Sequence, residues 1–164
     1  MDIGPRPAPD SESSFRPIYN VEELSDDERS VLRRVAGPTA KIRAVAYSDL
    51  LLNGRYGRSC LIVTENEIIA GEIGAETGRL PLDGLSSVIC RDFIGNGLLQ
   101  ARLDDDRRVD LLRYSKSRTD TFAEIADYVN RQLDLSEDEL EAHEEEAAKV
   151  SGPKEERTYR CPTC

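Results

Sequence analysis

The sequence predicts an α+β domain in which about seven antiparallel strands form a strongly bent sheet or partial barrel, capped by an amphipathic helix near residues 118–133. Three observations support this fold class. Short strand-like segments fill most of residues 40–115, turn residues separate them, and apolar residues at helical spacing follow only afterwards. A helix with one apolar stripe that follows antiparallel strands must bury that stripe, and the open end or face of the sheet is the nearest place.

Length and composition limit the chain to one modest domain with tails. It has 164 residues, 38% of them apolar, and a formal net charge of −10. This balance lacks the basic footprint of a protein that binds the phosphate backbone, so we expect no nucleic-acid partner. No signal sequence is seen near Met1, and no apolar run approaches the roughly 20 residues of a spanning helix. We therefore expect a cytoplasmic chain with reduced cysteines.

The region before the strands is predicted to be a tail followed by one short helix. Residues 1–20 are rich in Pro, Ser and Gly and lack an apolar period, which predicts disorder. Within residues 21–38 a helix is predicted over about 26–35, because Ser25 or Asp26 can cap its acidic first turn and a Gly-Pro pair ends it. Its apolar face, expected to rest on the following domain, consists of Val31, Leu32 and Val35.

Residues 39–133 carry nearly all of the strand signal and are predicted to form the folded domain. The segment KIRAVAYSDL, residues 41–50, alternates with the period of a half-buried strand. Gly54 and Gly57 then indicate a loop. The next segment, SCLIVTENEIIAGEI, predicts two strands joined by a tight turn at Glu65-Asn66.

The strongest hairpin signal is Asn96-Gly97, because both residues tolerate the positive φ that a type I′ turn requires. After an acidic turn at residues 104–106, RRVDLLRY predicts one further strand that closes the meander. The predicted faces of that strand are Val109 with Leu111, and Asp110 with Leu112.

The segment SRTDTFAEIADYVNRQL changes from strand to helical spacing. Ser117 or Thr119 is expected to cap this helix. Its apolar stripe follows the positions i, i+3, i+4, i+7 and i+11, occupied by Phe122, Ile125, Ala126, Val129 and Leu133.

Residues 134–160 are predicted to be an acidic linker. Ten acidic and four basic residues give them a net charge of −6, more than half of the total for the chain. Such a charge run is typical of a solvated helix or an extended spacer. The predicted domain is much closer to neutral, so an anionic membrane does not necessarily repel its surface.

The chain ends in CPTC, so residues 161–164 have the spacing of one zinc knuckle, with Cys161 and Cys164 as candidate zinc ligands. A ribbon needs two such knuckles, and this chain supplies one. Completing the site within the chain would require Cys60, Cys90 or His143. The two other cysteines lie in strand-like segments, where a free cysteine is expected to be a small core residue.

Three further interpretations of CPTC stay open. The knuckle is completed by a second chain, or the chain continues into a longer polypeptide with a second knuckle, which we favour. The third is a thioredoxin-like redox pair, which is disfavoured because such a pair should follow a strand and open a helix.

The residues offer little for catalysis. The single histidine lies in the predicted linker, no nucleophile is placed beside a base, and no glycine-rich phosphate loop is present. Asp49, Asp83 and Asp92 are not spaced as an acid–base pair and are expected in turns or on the surface. We therefore expect a non-enzymatic protein.

Together these features resemble a family. The antiparallel strands, the segment LLQARLDDDRRVDLLRYSKSRTDTFAEIADYVNRQL and the acidic spacer leading to RCPTC are similar to the cytosolic N-terminal region of certain bacterial ABC exporters. In those proteins a pleckstrin-homology-like domain precedes a short zinc ribbon, the transmembrane domain and the nucleotide-binding domain. The resemblance covers roughly residues 40–133 and the terminal knuckle. The chain departs from it at Cys164, where a second Cys-x-x-Cys is expected to follow.

The resemblance implies a pleckstrin-homology-like domain over residues 39–133 that acts as a cytosolic regulatory or docking module at the inner face of the plasma membrane. Its expected partners are the transporter domains or another protein, with an anionic membrane surface as a further candidate. Zinc is the one candidate cofactor. The alternatives are a stand-alone zinc or thiol protein that uses CPTC, and an adaptor that binds a peptide at a strand edge.

A small group of basic residues in the first strands is the candidate lipid contact: Lys41, Arg43, Arg55 and Arg58. Ordinary surface is the favoured interpretation of this group, because so few residues need not be contiguous in space.

Overall fold

The fold was obtained as a computed structural model, which describes residues 16–75 and 77–133. Two short 3₁₀ turns, Val21–Glu23 and Lys116–Arg118, precede the two helices. In chain order the remaining elements are α1 (Asp26–Ala36), β1 (Ile42–Leu50), β2 (Tyr56–Thr64), β3 (Glu67–Glu72), β4 (Thr77–Pro81), β5 (Leu85–Asp92), β6 (Asn96–Leu103), β7 (Arg108–Ser115) and α2 (Thr119–Gln132).

The seven described strands form two antiparallel sheets, which confirms the α+β class. The first sheet has the order β1-β2-β3-β4 and the second β5-β6-β7. The prediction of one bent sheet or partial barrel is corrected, because the two sheets do not close into a barrel. They meet where β1 approaches β7: Ser48 Oγ donates to the Arg113 carbonyl at 2.6 Å, and the Ser115 hydroxyl donates to Asp49 Oδ2 at 2.6 Å.

The main core lies between the two sheets and is closed by α2. The predicted stripe of α2 is confirmed: Phe122, Ile125, Ala126 and Val129 are buried in this core, and Leu133 packs against it. The predicted cap is wrong, since Arg118 occupies the N-cap position and makes no side-chain cap bond. The residues before α2 form a 3₁₀ turn instead, which moves the start of the helix.

A second apolar cluster covers the outer face of the first sheet. Leu32 and Ala36 of α1 are buried there against Val45, Ile62 and Ile69 of the sheet. Both faces of β1 are therefore buried, which corrects the half-buried prediction. The alternating sequence pattern suggested one exposed face, but side chains on both faces of β1 pack against apolar residues.

The capping of α1 follows the sequence. Ser25 accepts from the Glu28 amide, and the Glu28 carboxylate accepts from the Ser25 amide, a complete capping box. The predicted apolar face is corrected at one position: Val35 packs against the second cluster, but Val31 is 41% exposed. At 100° per residue, Leu32 and Ala36 share a face that Val31 does not.

The β5–β6 hairpin forms, but not at the predicted turn. Asn96 and Gly97 are the first residues of β6, and the residue with positive φ is Gly95, at +85°. Gly97 is required for another reason: a Cβ there would lie 2.3 Å from a ring carbon of Tyr114, its cross-strand partner. The Asn-Gly pair therefore serves the strand and not the turn.

The strand β7 contains a bulge that changes its faces. Leu99 pairs with Leu112, but Gln100 pairs with Asp110, so Leu111 is the extra residue. Leu111 and Leu112 both reach the main core. The predicted grouping of Leu112 with Asp110 is thus wrong, since strict alternation fails at a bulge.

Two turn predictions differ in outcome. The turn at Glu65-Asn66 is confirmed, and the Thr64 hydroxyl accepts from the amides of Asn66 and Glu67 within it. Gly54 lies in the β1–β2 loop with a φ of +84°, but Gly57 belongs to β2.

The predicted terminal segments fall largely outside the described residues. This holds for residues 1–15 of the tail, the acidic linker 134–160 and the half knuckle 161–164. The last part of the predicted tail is described, and there Ile18 forms an antiparallel bridge with Val45.

Candidate docking surface

The proposed zinc ligands Cys161 and Cys164 lie outside the described residues, as does His143. Within residues 16–75 and 77–133 no group of three metal-ligating side chains occurs. Cys60 is buried in the second cluster, while Cys90 packs against the main core, on the other side of the first sheet. Burial raises the pKa of the Cys60 thiol to about 11, so the thiol is protonated at neutral pH.

The three aspartates considered for catalysis have separate positions. Asp49 accepts from the amide and hydroxyl of Ser115 and so joins the two sheets. Asp92 forms an exposed ion pair with Lys116 at 3.1 Å. Asp83 is exposed before β5. Asp49 thus links the two sheets, while Asp92 and Asp83 are surface residues.

The basic group suggested by the sequence is divided between opposite ends of the first sheet. Lys41 and Arg43 both pair with Glu65, at the end that contains the β2–β3 turn. Arg55 and Arg58 lie at the opposite end, because Tyr56 of β2 pairs with Leu50 of β1. A strand of nine residues spans roughly 30 Å, so these four residues are not one site.

A different cluster forms at the end of the first sheet that carries Arg55 and Arg58. There the β1–β2 loop meets the β5–β6 turn. We call it the apolar tip and define it as Leu52, Phe93 and Ile94. Ile94 is fully exposed, and Leu52 and Phe93 are 49% and 41% exposed. Large apolar side chains gathered on turns in this way are typical of an interaction surface.

Arg113 of β7 holds the apolar tip together. Its Nε donates to the Leu52 carbonyl at 3.2 Å, and its Nη1 donates to Asn96 Oδ1 at 2.7 Å. The guanidinium also lies 5.6 Å from the ring centre of Phe93, and that of Arg91 lies 5.7 Å from it. Each distance is within cation–π range, so one aromatic side chain is held beside two positive charges.

The same arginines belong to a basic surface that we call the arginine face. It is the outer face of the second sheet, whose strand register sets out three rows: Ser87–Arg102–Arg108, Ile89–Gln100–Asp110 and Arg91–Leu98–Arg113. It carries four arginines and one aspartate. Leu98, Gln100 and Ser87 on it are buried, whereas Ile89 is partly exposed, and Ile89 and Leu98 belong to neither apolar cluster of the described residues.

The acidic groups beside the arginine face are concentrated at the β6–β7 turn, and at the opposite end Asp92 is paired with Lys116. Asp110 accepts from Gln100 Nε2 at 2.7 Å within the middle row. Beyond the first row, Asp106 pairs with Arg102 and Asp105 pairs with Arg107, both from the β6–β7 turn. The hydrogen bond from Arg107 lowers the pKa of Asp105. The row nearest the apolar tip therefore has the most positive surroundings.

A cleft of about 590 Å³ opens beside β7, and its lining includes Leu52 of the apolar tip and Asp110 of the arginine face. Asp110 and Glu72 are the charged residues that line it, with small residues of β3 and β4 opposite them. Ser59, the cross-strand partner of Glu72, also lines the cleft, and its hydroxyl donates to the Leu50 carbonyl at 2.7 Å.

No protein-family model matches the sequence, and the curated proteins yield no significant match. None of the described helices is long and apolar enough to cross a bilayer. Inference about function therefore depends on the two surfaces themselves.

Sequence reasoning missed the residues that build these surfaces. For the apolar tip, the available signal was Phe93-Ile94 directly before a glycine. Two bulky apolar residues in a turn are too far from the core to be buried in it. No comparable signal marks Arg91 and Arg113, which become neighbours only through their pairing with Leu98.

Proposed function

We propose that residues 16–133 form a non-enzymatic docking module that places the apolar tip and its arginines against an anionic membrane surface. The supporting observation is that a fully exposed Ile94 lies next to Phe93, which has a guanidinium of Arg91 and of Arg113 within 6 Å. Apolar side chains can enter the interface, while arginines pair with lipid phosphates. We expect membrane binding to require both the apolar side chains and the arginines.

The charge distribution favours this orientation. The described residues are close to neutral, so attraction depends on local charge and not on the net charge of −10 for the whole chain. The acidic β6–β7 turn lies at the end remote from the tip, since Arg102 near that turn pairs with Arg108 while Asn96 pairs with Ser115 near the tip. A membrane approached tip-first meets Arg91, Arg113 and the Lys116–Asp92 ion pair before the aspartates of the β6–β7 turn.

The wider context is proposed on the resemblance alone. A pleckstrin-homology-like module of this kind would serve as the cytosolic N-terminal part of a bacterial ABC exporter, docking at the inner face of the membrane beside the transporter domains. Two antiparallel sheets closed by a C-terminal helix are compatible with that fold. The zinc or thiol alternative for CPTC rests on Cys161 and Cys164 and gains no support from the described residues.

A tryptophan reporter tests the membrane contact. The chain has no tryptophan, so Ile94→Trp places a single tryptophan at the tip, which can be excited selectively, without removing a buried group. We expect its emission to shift to the blue on adding phosphatidylglycerol vesicles, and the shift to weaken with added salt. Val31→Trp is the matched control, because Val31 is equally a surface apolar residue but lies on α1.

Sedimentation supplies the corresponding binding measurement. The wild type should sediment with phosphatidylglycerol vesicles and not with phosphatidylcholine vesicles, and Ile94→Ser should sediment several-fold less. Absence of both binding and the blue shift at low salt would refute the membrane proposal. The transporter context has a separate test: an immunoblot of source-cell fractions with an antibody against residues 41–133 should detect a membrane band far larger than 18.3 kDa.

A further inference from the structure

The arginine face has a candidate occupant within the same chain. Residues 134–146, DLSEDELEAHEEE, carry eight acidic residues and no lysine or arginine. The arginine face carries four arginines against one aspartate. We propose that this acidic segment docks on the arginine face and masks it, so that the chain regulates its own membrane contact. The regulatory part of this proposal rests on the proposed function, whereas the docking does not.

The point at which the segment leaves the fold favours this contact. Near the end of α2, Asn130 Nδ2 donates to the Val88 carbonyl, and the Val88 amide donates to Asn130 Oδ1, both at 2.8 Å. Val88 lies between Ser87 and Ile89, which are residues of the arginine face on the edge strand β5. The acidic segment therefore begins beside the surface that it is proposed to cover.

The length of the segment is sufficient. Thirteen extended residues reach roughly 40 Å. Arg91 is three residues along β5 from Val88, roughly 10 Å away, and crossing from β5 to β7 adds about 10 Å. The segment can thus reach the row Arg91–Leu98–Arg113 from its starting point with residues to spare.

Charge on the neighbouring elements determines where on the face the segment is placed. The β6–β7 turn contributes Asp104, Asp105 and Asp106 beside the first row, and Asp106 already pairs with Arg102. These carboxylates repel an acidic chain from that side. The row Arg91–Leu98–Arg113 lies farthest from them, so docking there would bring the segment against the arginines that flank Phe93.

Tethering makes a set of weak contacts effective. Exposed ion pairs contribute little individually, but a segment joined directly to the domain acts at an effective concentration in the millimolar range. A contact of this kind is weakened by salt and can be displaced by a surface dense in phosphate. That combination is suited to a reversible mask.

Proteolysis of the full chain tests the docking without any membrane. A glutamate-specific protease should cut residues 134–146 several-fold more slowly at low salt than at high salt. Arg91→Gln should reduce this protection, because Arg91 belongs to the row on which the segment is proposed to dock and its guanidinium lies over the neighbouring Phe93 ring. Arg34→Gln, with the same charge change on α1, is the matched control and should keep the protection.

Vesicle binding then tests the regulation. Glu144→Gln/Glu145→Gln/Glu146→Gln should increase binding of the full chain to phosphatidylglycerol vesicles several-fold. The same cleavage rate at low and high salt, or with and without Arg91, would overturn the docking. Protection in the wild type with no vesicle binding by any variant would support the docking and refute the proposed function. Protection with equal vesicle binding by wild type and the glutamine variant would overturn the mask.

Discussion

The outer faces of the two sheets have opposite characters although the strands are similar in length and pairing. On the first sheet the outer residues Val45, Ile62 and Ile69 are buried beneath α1 and the segment before it. On the second sheet the corresponding face carries Arg91, Arg102, Arg108 and Arg113, and its apolar residues join neither cluster. The first outer face is covered by another element of the fold, whereas the second carries charged side chains around a buried Leu98, and we propose it as the docking surface.

Two isoleucines, one on each outer face, provide the most direct test of this difference. Ile69 is fully buried on the first outer face, and Ile89 is partly exposed on the second. We expect Ile69→Ala to lower the free energy of unfolding by about 3–5 kcal/mol, because it leaves a cavity beneath α1. Ile89→Ala should cost about 1 kcal/mol or less. Urea denaturation followed by circular dichroism measures both, and equal losses would contradict the comparison.

Two variants on α1 test whether this helix covers the outer face of the first sheet. Leu32 is 2% exposed and the adjacent Val31 is 41% exposed. Leu32→Ala should destabilise the protein by about 2–4 kcal/mol through the cavity it creates. Val31→Ala, the control on the same helix, should change stability by less than about 0.5 kcal/mol. If thermal melting shifts equally for the two variants, α1 does not cover the sheet as described.

The second sheet depends on a polar contact at its edge. Asn130 is buried and occupies the hydrogen-bonding positions of Val88 that a further strand would use. Asn130→Ala leaves a buried amide and carbonyl without these bonds, and we expect a loss of about 1–3 kcal/mol. Hydrogen exchange should localise the effect, with faster exchange of the Val88 amide. Unchanged exchange at Val88 would show that the side chain does not protect this edge.

The smallest expected effect concerns Cys60 beneath the cover. Burial raises its pKa to about 11, above the value of about 8.5 for a free thiol. Since the thiol is neutral when protonated, its contribution to stability is complete below the unfolded pKa and is lost as pH rises through about 11. We expect iodoacetamide to leave Cys60 unmodified at pH 8 in the folded protein and to modify it in urea. Mass spectrometry of the peptide that contains Cys60 checks this, and rapid modification of the folded state would mean that the cover opens.

Local sequence features predicted much of the fold. The stripe of α2 and the capping box of α1 depend on residues within a few positions of one another, so the sequence alone was sufficient. The Asn96-Gly97 turn failed because Tyr114, seventeen residues away, requires a glycine beside its ring. The faces of β7 were wrong because a bulge is set by pairing with β6 and not by the period of β7.

By itself, then, the sequence determined the α+β class, the helix ends that depend on local capping, the apolar stripe and the charge of the final segment. Those properties follow from period, composition and neighbouring residues. Tertiary structure alone decided that the strands divide into two sheets, that one outer face is covered, and that Leu52, Phe93, Ile94 and Arg113 meet at one tip. Their proximity comes from strand pairing between residues far apart in the chain, and no local pattern specifies that pairing.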